Sequence, residues 1–212
     1  MTFRAVIFDL GGVVFPSPFA AFDAYERANG LPDRFIRTVV AASADDGAWA
    51  RLERSDTSFD EFCKELEAEC AAAGGIVDAS ALMTEIGKGF APRPEMVNAI
   101  QAIQKQYLLV AALTNNWVNG PSRETFDRFG PMISFDLVVE SAVEGLRKPD
   151  PRIYELTCAR LGVSPTECVF LDDLGVNLKP ARAMGMRTIK VVDVGQALDE
   201  LATVLGFALG EE

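Results

Sequence analysis

Short, nearly all-apolar runs alternate along this chain with longer segments whose apolar residues recur at helical spacing. The first run, Phe3 to Phe8, contains a single charged residue, as a strand covered on both faces does. Comparable runs follow at Leu108 to Leu113, Leu137 to Val139, Cys168 to Leu171 and Thr188 to Val192. Between them, Met96, Val97, Ile100 and Ile103 make one apolar face behind Pro94, which suits a first helical turn. Ile153, Leu156 and Leu161 make another, closed by Gly162. Strands separated by helices predict right-handed crossovers and a parallel sheet. The fold class is therefore α/β, with a Rossmann-like core.

One block breaks the alternation. From Phe15 to Pro92 strand signals are few, with Pro16 and Pro18 marking the exit and Pro92 and Pro94 the return. Within it, Phe19, Phe22 and Tyr25, and then Phe35, Ile36, Val39 and Val40, suggest helices. A clearer helix starts at Ser58-Phe59-Asp60-Glu61, which has the form of a capping box. Phe59, Phe62, Cys63, Leu66 and Cys70 continue it, Gly74-Gly75 ends it, and Leu82 to Ile86 is a shorter candidate. The chain is thus expected to divide into an α/β core of residues 1–15 and 93–212 and a helical insert of residues 16–92.

The polar residues that interrupt the apolar runs fall at strand ends. The first strand runs into Asp9, and Gly11 and Gly12 follow, so the backbone can turn sharply and approach a ligand closely. The second ends in Thr114-Asn115-Asn116, and Arg147-Lys148-Pro149-Asp150 precedes the Ile153 helix. A later strand runs into Asp172-Asp173-Leu174-Gly175-Val176-Asn177. In an open parallel sheet, ligands bind outside the carboxyl ends of the strands, where these groups would collect. Singly, each has an ordinary alternative: a solvated turn aspartate, a strand-end threonine in a local turn bond, a surface lysine. Two adjacent carboxylates at the end of an apolar strand, however, repel strongly unless a cation joins them.

Composition narrows the chemistry. The 212 residues, 49% hydrophobic and 24% charged, are ordinary for a soluble globular protein. A net charge of −11 disfavours nucleic acid as a partner. No apolar run reaches membrane-spanning length, and Asp9 interrupts any signal-peptide core, so no membrane partner and a cytoplasmic location are expected. Cys63, Cys70, Cys158 and Cys168 lack zinc spacing and read as reduced thiols. The chain has no histidine, which removes Ser-His-Asp and Cys-His catalysis, imidazole-bound zinc and an imidazole base. Any reaction must run on carboxylates, Lys, Thr and a metal.

The order strand–Asp9, strand–Thr114, Lys148 before a helix, strand–Asp172-Asp173 resembles the motifs of the haloacid dehalogenase superfamily, mostly magnesium-dependent phosphohydrolases. Val139 to Tyr154 and Phe170 to Lys179 are similar to a subgroup found as domains fused to an epoxide hydrolase and to an acyl-CoA dehydrogenase. The resemblance implies that the helical insert is a cap and that Asp9 attacks phosphorus, forming an aspartyl-phosphate that water hydrolyses. It implies Mg²⁺ held by Asp9, the backbone carbonyl of Gly11 and Asp173, with Asp172 behind them or reached through water. Thr114 and the amide of Asn115 would bind phosphoryl oxygens, and Lys148 would neutralise charge on Asp9 and on the transferring group. The implied substrate is a small phosphorylated metabolite, with Ser43 to Trp49 of the insert facing it and Asn116 bordering the pocket; Trp117 either borders the pocket too or packs in the core. Asn177 stands where the superfamily often has a second acidic residue.

One position departs from the pattern. Most phosphatases of the superfamily carry an aspartate two residues after the nucleophile, as the acid for the leaving oxygen, and here that position is Gly11. Acid–base help of this kind is worth ~10²–10⁴-fold in rate. Two readings follow: a phosphomonoester hydrolase, or a catalytically weak domain that binds a phosphorylated ligand and acts through a partner protein. Lys148 is expected beside Asp9 rather than in packing.

Overall fold

The computed structural model describes residues 2–88, 91–118 and 134–209. Its strands are β1 (Ala5–Phe8), β2 (Leu109–Thr114), β3 (Leu137–Glu140), β4 (Cys168–Asp172) and β5 (Arg187–Lys190). Helices α1 (Pro18–Asn29), α2 (Phe35–Ala42), α3 (Ala48–Glu53), α4 (Phe59–Ala72) and α5 (Ala79–Lys88) follow β1. Then come α6 (Pro94–Lys105) before β2, α7 (Ser141–Glu144) and α8 (Pro151–Leu161) before β4, α9 (Gly175–Ala183) before β5, and α10 (Val194–Leu205).

The strands form one parallel sheet in the order β3-β2-β1-β4-β5. Phe8 pairs in register with Ala112 of β2 on one side and Leu171 of β4 on the other. The ladder continues one residue further, where the Asp9 N–H donates to the Leu171 carbonyl at 2.9 Å. The chain therefore switches direction across the sheet at β1, and such a switch opens a crevice at the carboxyl edge.

Period-two alternation sorts the core into two layers. Val6, Phe8, Val110, Ala112, Val169 and Leu171 pack against Met96, Ile100 and Ile103 of α6 and Leu201 of α10. Ala5, Ile7, Ala111, Leu113 and Phe170 pack on the opposite face against Ile153 and Tyr154 of α8 and Leu178 of α9. Helices α1 to α5 bury a separate cluster that includes Phe22, Ile36, Trp49, Leu52, Phe62, Leu66 and Leu82. The two links to this helical unit lie side by side. Arg93 N–H donates to the Val14 carbonyl at 2.8 Å, and its guanidinium reaches the carbonyls of Gly12 and Val13 at 2.9 and 3.1 Å.

Local signals set most helix ends. Ser58 and Glu61 close the capping box at α4, Pro94 and Pro151 open α6 and α8, and Gly162 ends α8 at a φ of 66°. The sequence offered no periodicity for α3, because six residues are too few to show one. Strand β5 lies one residue earlier than its apolar run suggests and stops before Val192, which is 78% exposed.

Helix α2 is started by a distant residue. Its own N-cap, Arg34, supplies no side-chain acceptor, and Glu26 of α1 takes that role. The Glu26 carboxylate, 1% exposed, accepts from the N–H groups of Arg34 at 2.7 Å and Ile36 at 2.8 Å. Glu26→Ala would leave both amides without an acceptor, for a loss of ~1.5–3 kcal/mol. Urea unfolding should show a lower midpoint at unchanged slope, and an unchanged midpoint would mean that water caps α2 as well as Glu26 does.

Candidate functional site

Three neighbouring strands deliver the polar groups to one edge. Asp9 follows β1, Thr114 ends β2, and Asp172 ends β4 with Asp173 next. Lys148 comes from the loop between α7 and α8 and is 1% exposed. Its ammonium bridges Asp9 Oδ1 and Asp172 Oδ2, each at 2.8 Å. What aims it there is Asn115, whose side-chain amide grips the Lys148 backbone in both directions. Lys148 N–H donates to Asn115 Oδ1 at 2.9 Å, and Asn115 Nδ2 donates to the Lys148 carbonyl at 3.0 Å.

The carboxylates differ in what the protein already asks of them. Asp172, fully buried, accepts from Lys148, from the Leu174 N–H at 2.8 Å and from Asn177 Nδ2 at 3.0 and 3.1 Å. Its oxygens are committed to holding the site together. Asp9 uses Oδ1 for Lys148 and for the Leu10 N–H at 2.7 Å, while its Oδ2 has no hydrogen-bond partner among the described residues. Asp173 is the more open member, and Gly12 makes room for it. A Cβ at Gly12 would fall 2.2 Å from Asp173 Oδ2, and the residue has a φ of +82°. Gly11 is under no such constraint, since a Cβ there would meet only Pro18 Cδ at 3.7 Å. The missing aspartate at Gly11 is a chemical difference, not a steric necessity.

One carboxylate oxygen from each of Asp9, Asp172 and Asp173 lies within 4.8 Å of the others. Set against the single ammonium of Lys148, this is a surplus of negative charge. Burial first, and then Asp172 and Asp173, push the Asp9 carboxyl well above its ordinary range despite the opposing Lys148. Burial and Asp172 likewise raise Asp173 to about 6. Burial alone would lower Lys148, but Asp172 and Asp9 outweigh it and hold the ammonium above its usual value. Such a set, all oxygen and short of positive charge, fits a hard divalent cation.

A cavity of about 560 Å³ opens over this floor. Asp9, Gly11, Thr114, Asn115, Lys148, Asp173 and Asn177 line its base, and Asn116 and Trp117 border it. Among the described residues Thr114, 4% exposed, spends its hydroxyl only on a long 3.4 Å contact to the Asn115 carbonyl. The walls are apolar: Phe19, Phe22, Val40, Trp49, Ile86 and Trp117. Trp49 meets Phe22 and Trp117 edge-on, with ring centres 5.3 and 5.6 Å apart. Of the segment Ser43 to Trp49, Ala44, Asp45 and Trp49 reach the cavity, whereas Ser43 bonds to Glu69 at 3.1 Å.

Glu53 and the partners of Arg147 escaped sequence reasoning. Glu53 of α3, 6% exposed, accepts from Trp49 Nε1 at 3.0 Å, Asn115 Nδ2 at 3.2 Å and Arg147 Nε at 2.7 Å. Arg147 also reaches Asp45 at 2.8 Å. The helical unit is thereby tied to the same asparagine that aims Lys148. The only local trace was the four-residue spacing of Trp49 and Glu53, which any exposed helix pair shares.

A family model for haloacid dehalogenase-like hydrolases matches residues 3–185. Mouse acyl-CoA dehydrogenase family member 10 is 40% identical over 216 residues, covering 98% of this chain and 20% of that protein. Pig bifunctional epoxide hydrolase 2 is 33% identical over 223 residues, covering 99% of this chain and 40% of that protein. The chain thus spans between a fifth and two fifths of the length of these relatives. A sesquiterpene phosphatase of Aspergillus oryzae is 27% identical over 207 residues, covering 97% and 98% of the two chains. Among solved structures, a HAD family enzyme of Bacteroides thetaiotaomicron in complex with magnesium and inorganic phosphate superposes with a TM-score of 0.63. It is 16% identical and covers 94% of this chain and 98% of its own, a likeness of fold.

Lys148 was expected beside Asp9 rather than in packing; its ammonium lies 2.8 Å from Asp9 and is also buried, 1% exposed, between two carboxylates, so it bears on stability as well. Lys148→Met would strand Asp9 and Asp172 without a counter-charge, and breaking such a buried pair costs ~3–5 kcal/mol. Thermal and denaturant melts should show a large loss in Lys148→Met alongside any loss of function. A variant as stable as the wild type would place the ammonium's role in the reaction alone.

Proposed function

The chain belongs to the haloacid dehalogenase-like hydrolases, and we propose that it is a magnesium-dependent phosphomonoester hydrolase working through Asp9. The observation that carries this reading is the asymmetry of Asp9. One oxygen is anchored by Lys148 and the Leu10 N–H, and the other has no partner among the described residues while the side chain lines the cavity. Asp9, the Gly11 carbonyl and Asp173 would hold Mg²⁺, with Asp172 fixed behind them by Lys148 and Asn177. When bound, the ion would offset the surplus carboxylate charge and polarise the phosphoryl group.

In this mechanism an Asp9 oxygen bonds to phosphorus as the bond to the leaving oxygen breaks, its electron pair remaining on that oxygen. The product is an aspartyl-phosphate, which water then hydrolyses to return Asp9 and release phosphate. Thr114 and the backbone N–H of Asn115 donate to phosphoryl oxygens, and Lys148 offsets charge on Asp9 and on the group in transfer. Helices α1 to α5, residues 16–92 with their links, act as a cap that shuts water out. The apolar walls favour a small phosphate ester with an apolar body, and the name of the Aspergillus relative points the same way. The alternative, a weakly catalytic domain that binds a phosphorylated ligand for a partner protein, rests on Gly11 and on the relatives in which a matching segment is only 20% or 40% of a longer protein. Phosphate release across a broad panel of phosphate esters separates the two.

Metal dependence has a pH signature. The folded-state pKa of Asp173 is raised to about 6, above its ordinary value. Without metal, this group's contribution to stability is full when it is protonated, below its unfolded pKa, and is lost as pH rises through about 6. Metal-free protein should therefore lose thermal stability across that window, and the gain on adding Mg²⁺ should grow across the same window. Asp9→Asn should abolish turnover, and EDTA should remove it from the wild type. Full turnover after exhaustive chelation would sink the metal-dependent mechanism.

Because the space beside Gly11 is open, Gly11→Asp should place an acid near the leaving oxygen without disturbing the loop. Hydrolysis of alkyl phosphates should rise more than that of aryl phosphates, by up to ~10²–10⁴-fold. The measurement is the alkyl-to-aryl ratio of kcat/KM in both proteins, and an unchanged ratio would show that the new carboxyl does not reach the leaving group.

A further inference from the structure

An in-line displacement by Asp9 sends the leaving oxygen away from the floor, toward the cap, and Gly11 offers no acid to meet it. The cations lining the cavity are Lys148, Arg147 and Arg37. Lys148 is engaged by Asp9 and Asp172 on the floor. Arg147 is engaged by Glu53 at 2.7 Å and Asp45 at 2.8 Å. Arg37 of α2 has no hydrogen bond or ion pair among the described residues. Its guanidinium lies 4.0 Å from the centre of the Phe19 ring, itself a wall of the cavity. Its charge is felt at the floor, where it draws Asp173 down against the upward push of burial. A half-buried guanidinium stacked on the wall of a cavity, unpaired among the described residues, carries fixed N–H donors for an anion that none of them supplies.

We propose that Arg37 binds the leaving oxygen, stabilising its developing negative charge in place of the acid that Gly11 cannot provide. The inference rests on the phosphatase reading above. As the Asp9 oxygen bonds to phosphorus, the leaving oxygen departs with the electron pair of its broken bond and is met by the guanidinium N–H groups. Arginine does not deprotonate, so it acts by charge and hydrogen bonding rather than by proton transfer. The alkoxide then takes a proton from water, and the hydroxide left behind attacks the phosphorus of the aspartyl-phosphate, releasing phosphate and the Asp9 carboxylate. Arg37 is positioned for this by α2, whose first turn is fixed by Glu26.

The test is a leaving-group series: kcat/KM for aryl and alkyl phosphates with Mg²⁺, on the wild type, Arg37→Gln and Arg37→Lys, each checked for folding by thermal melt. Arg37→Gln should lower alkyl-phosphate hydrolysis by on the order of 10²-fold, as loss of an oxyanion donor does, and para-nitrophenyl phosphate hydrolysis far less. Its rates should fall more steeply with leaving-group pKa, and Arg37→Lys should recover part of the difference. Gly11→Asp added to Arg37→Gln should restore the alkyl substrates, because an acid then does what the guanidinium did. Equal losses on every substrate, or none, would overturn the assignment. If Arg37→Gln does not fold, the slope of Arg37→Lys decides, since it keeps the charge but loses the fork of donors. A wild type that hydrolyses none of the series overturns the phosphatase reading itself, and Arg37's role with it.

Discussion

Everything at the carboxyl edge of the sheet depends on one buried ammonium placed between two buried carboxylates. Lys148 is 1% exposed and lies 2.8 Å from both Asp9 and Asp172. Removing such charges from water costs several kcal/mol per ion, and attraction offsets this only when geometry and further hydrogen bonds are good. Here Asp172 takes the remaining donors, from Leu174 and Asn177, while Asn115 fixes the lysine backbone from both ends. Asp9 is left with one anchored oxygen and one open one. A symmetric arrangement, with both oxygens engaged, would be stable and inert.

The same asparagine joins the floor to the helical unit. Glu53 accepts from Asn115 and from Arg147, and Ser55 donates to the Ala142 carbonyl at 2.8 Å. The residue that aims Lys148 is thus also held from above, so the seating of α3 bears on the geometry beside Asp9. The charge distribution completes the logic: acids crowd the floor, apolar rings make the walls, and Arg37 is the cation between them that no carboxylate of the described residues claims. With a divalent cation held by those acids, as proposed, such a cavity would suit a molecule that is anionic at one end and apolar over the rest.

Much of the fold was legible along the chain because its signals are local. The apolar runs ending at Phe8, Thr114 and Asp172 are strands with both faces covered, and their alternation with helices selects a parallel sheet flanked by helices as what buries them. The capping box at Ser58 and the glycine after α8 mark helix ends through hydrogen bonds that span only a few residues. Asp9, Thr114, Lys148, Asp172 and Asp173 were legible as candidates since strand ends are marked by where apolar runs stop. Helix α3 was not, being too short for a period, and Glu26 gave no sign of capping a helix eight residues away.

By itself, then, the sequence determined the order of the strands and of the longer helices, the absence of imidazole chemistry and the residues brought to the sheet edge. These follow from hydrophobic periodicity and from backbone preferences, which act between near neighbours. Only the tertiary structure decided how those residues divide their work: which oxygen of Asp9 stays open, that Asp172 is consumed by Lys148 and Asn177, and that Asp173 is not. It alone separated Gly12, which Asp173 requires, from Gly11, which nothing requires. It alone showed that Glu53 claims Arg147 while Arg37 goes unclaimed among the described residues. The reason is physical: pairing, desolvation and packing depend on distances of a few ångströms between residues far apart in the chain, 102 positions in the case of Asp45 and Arg147, and no local pattern records them.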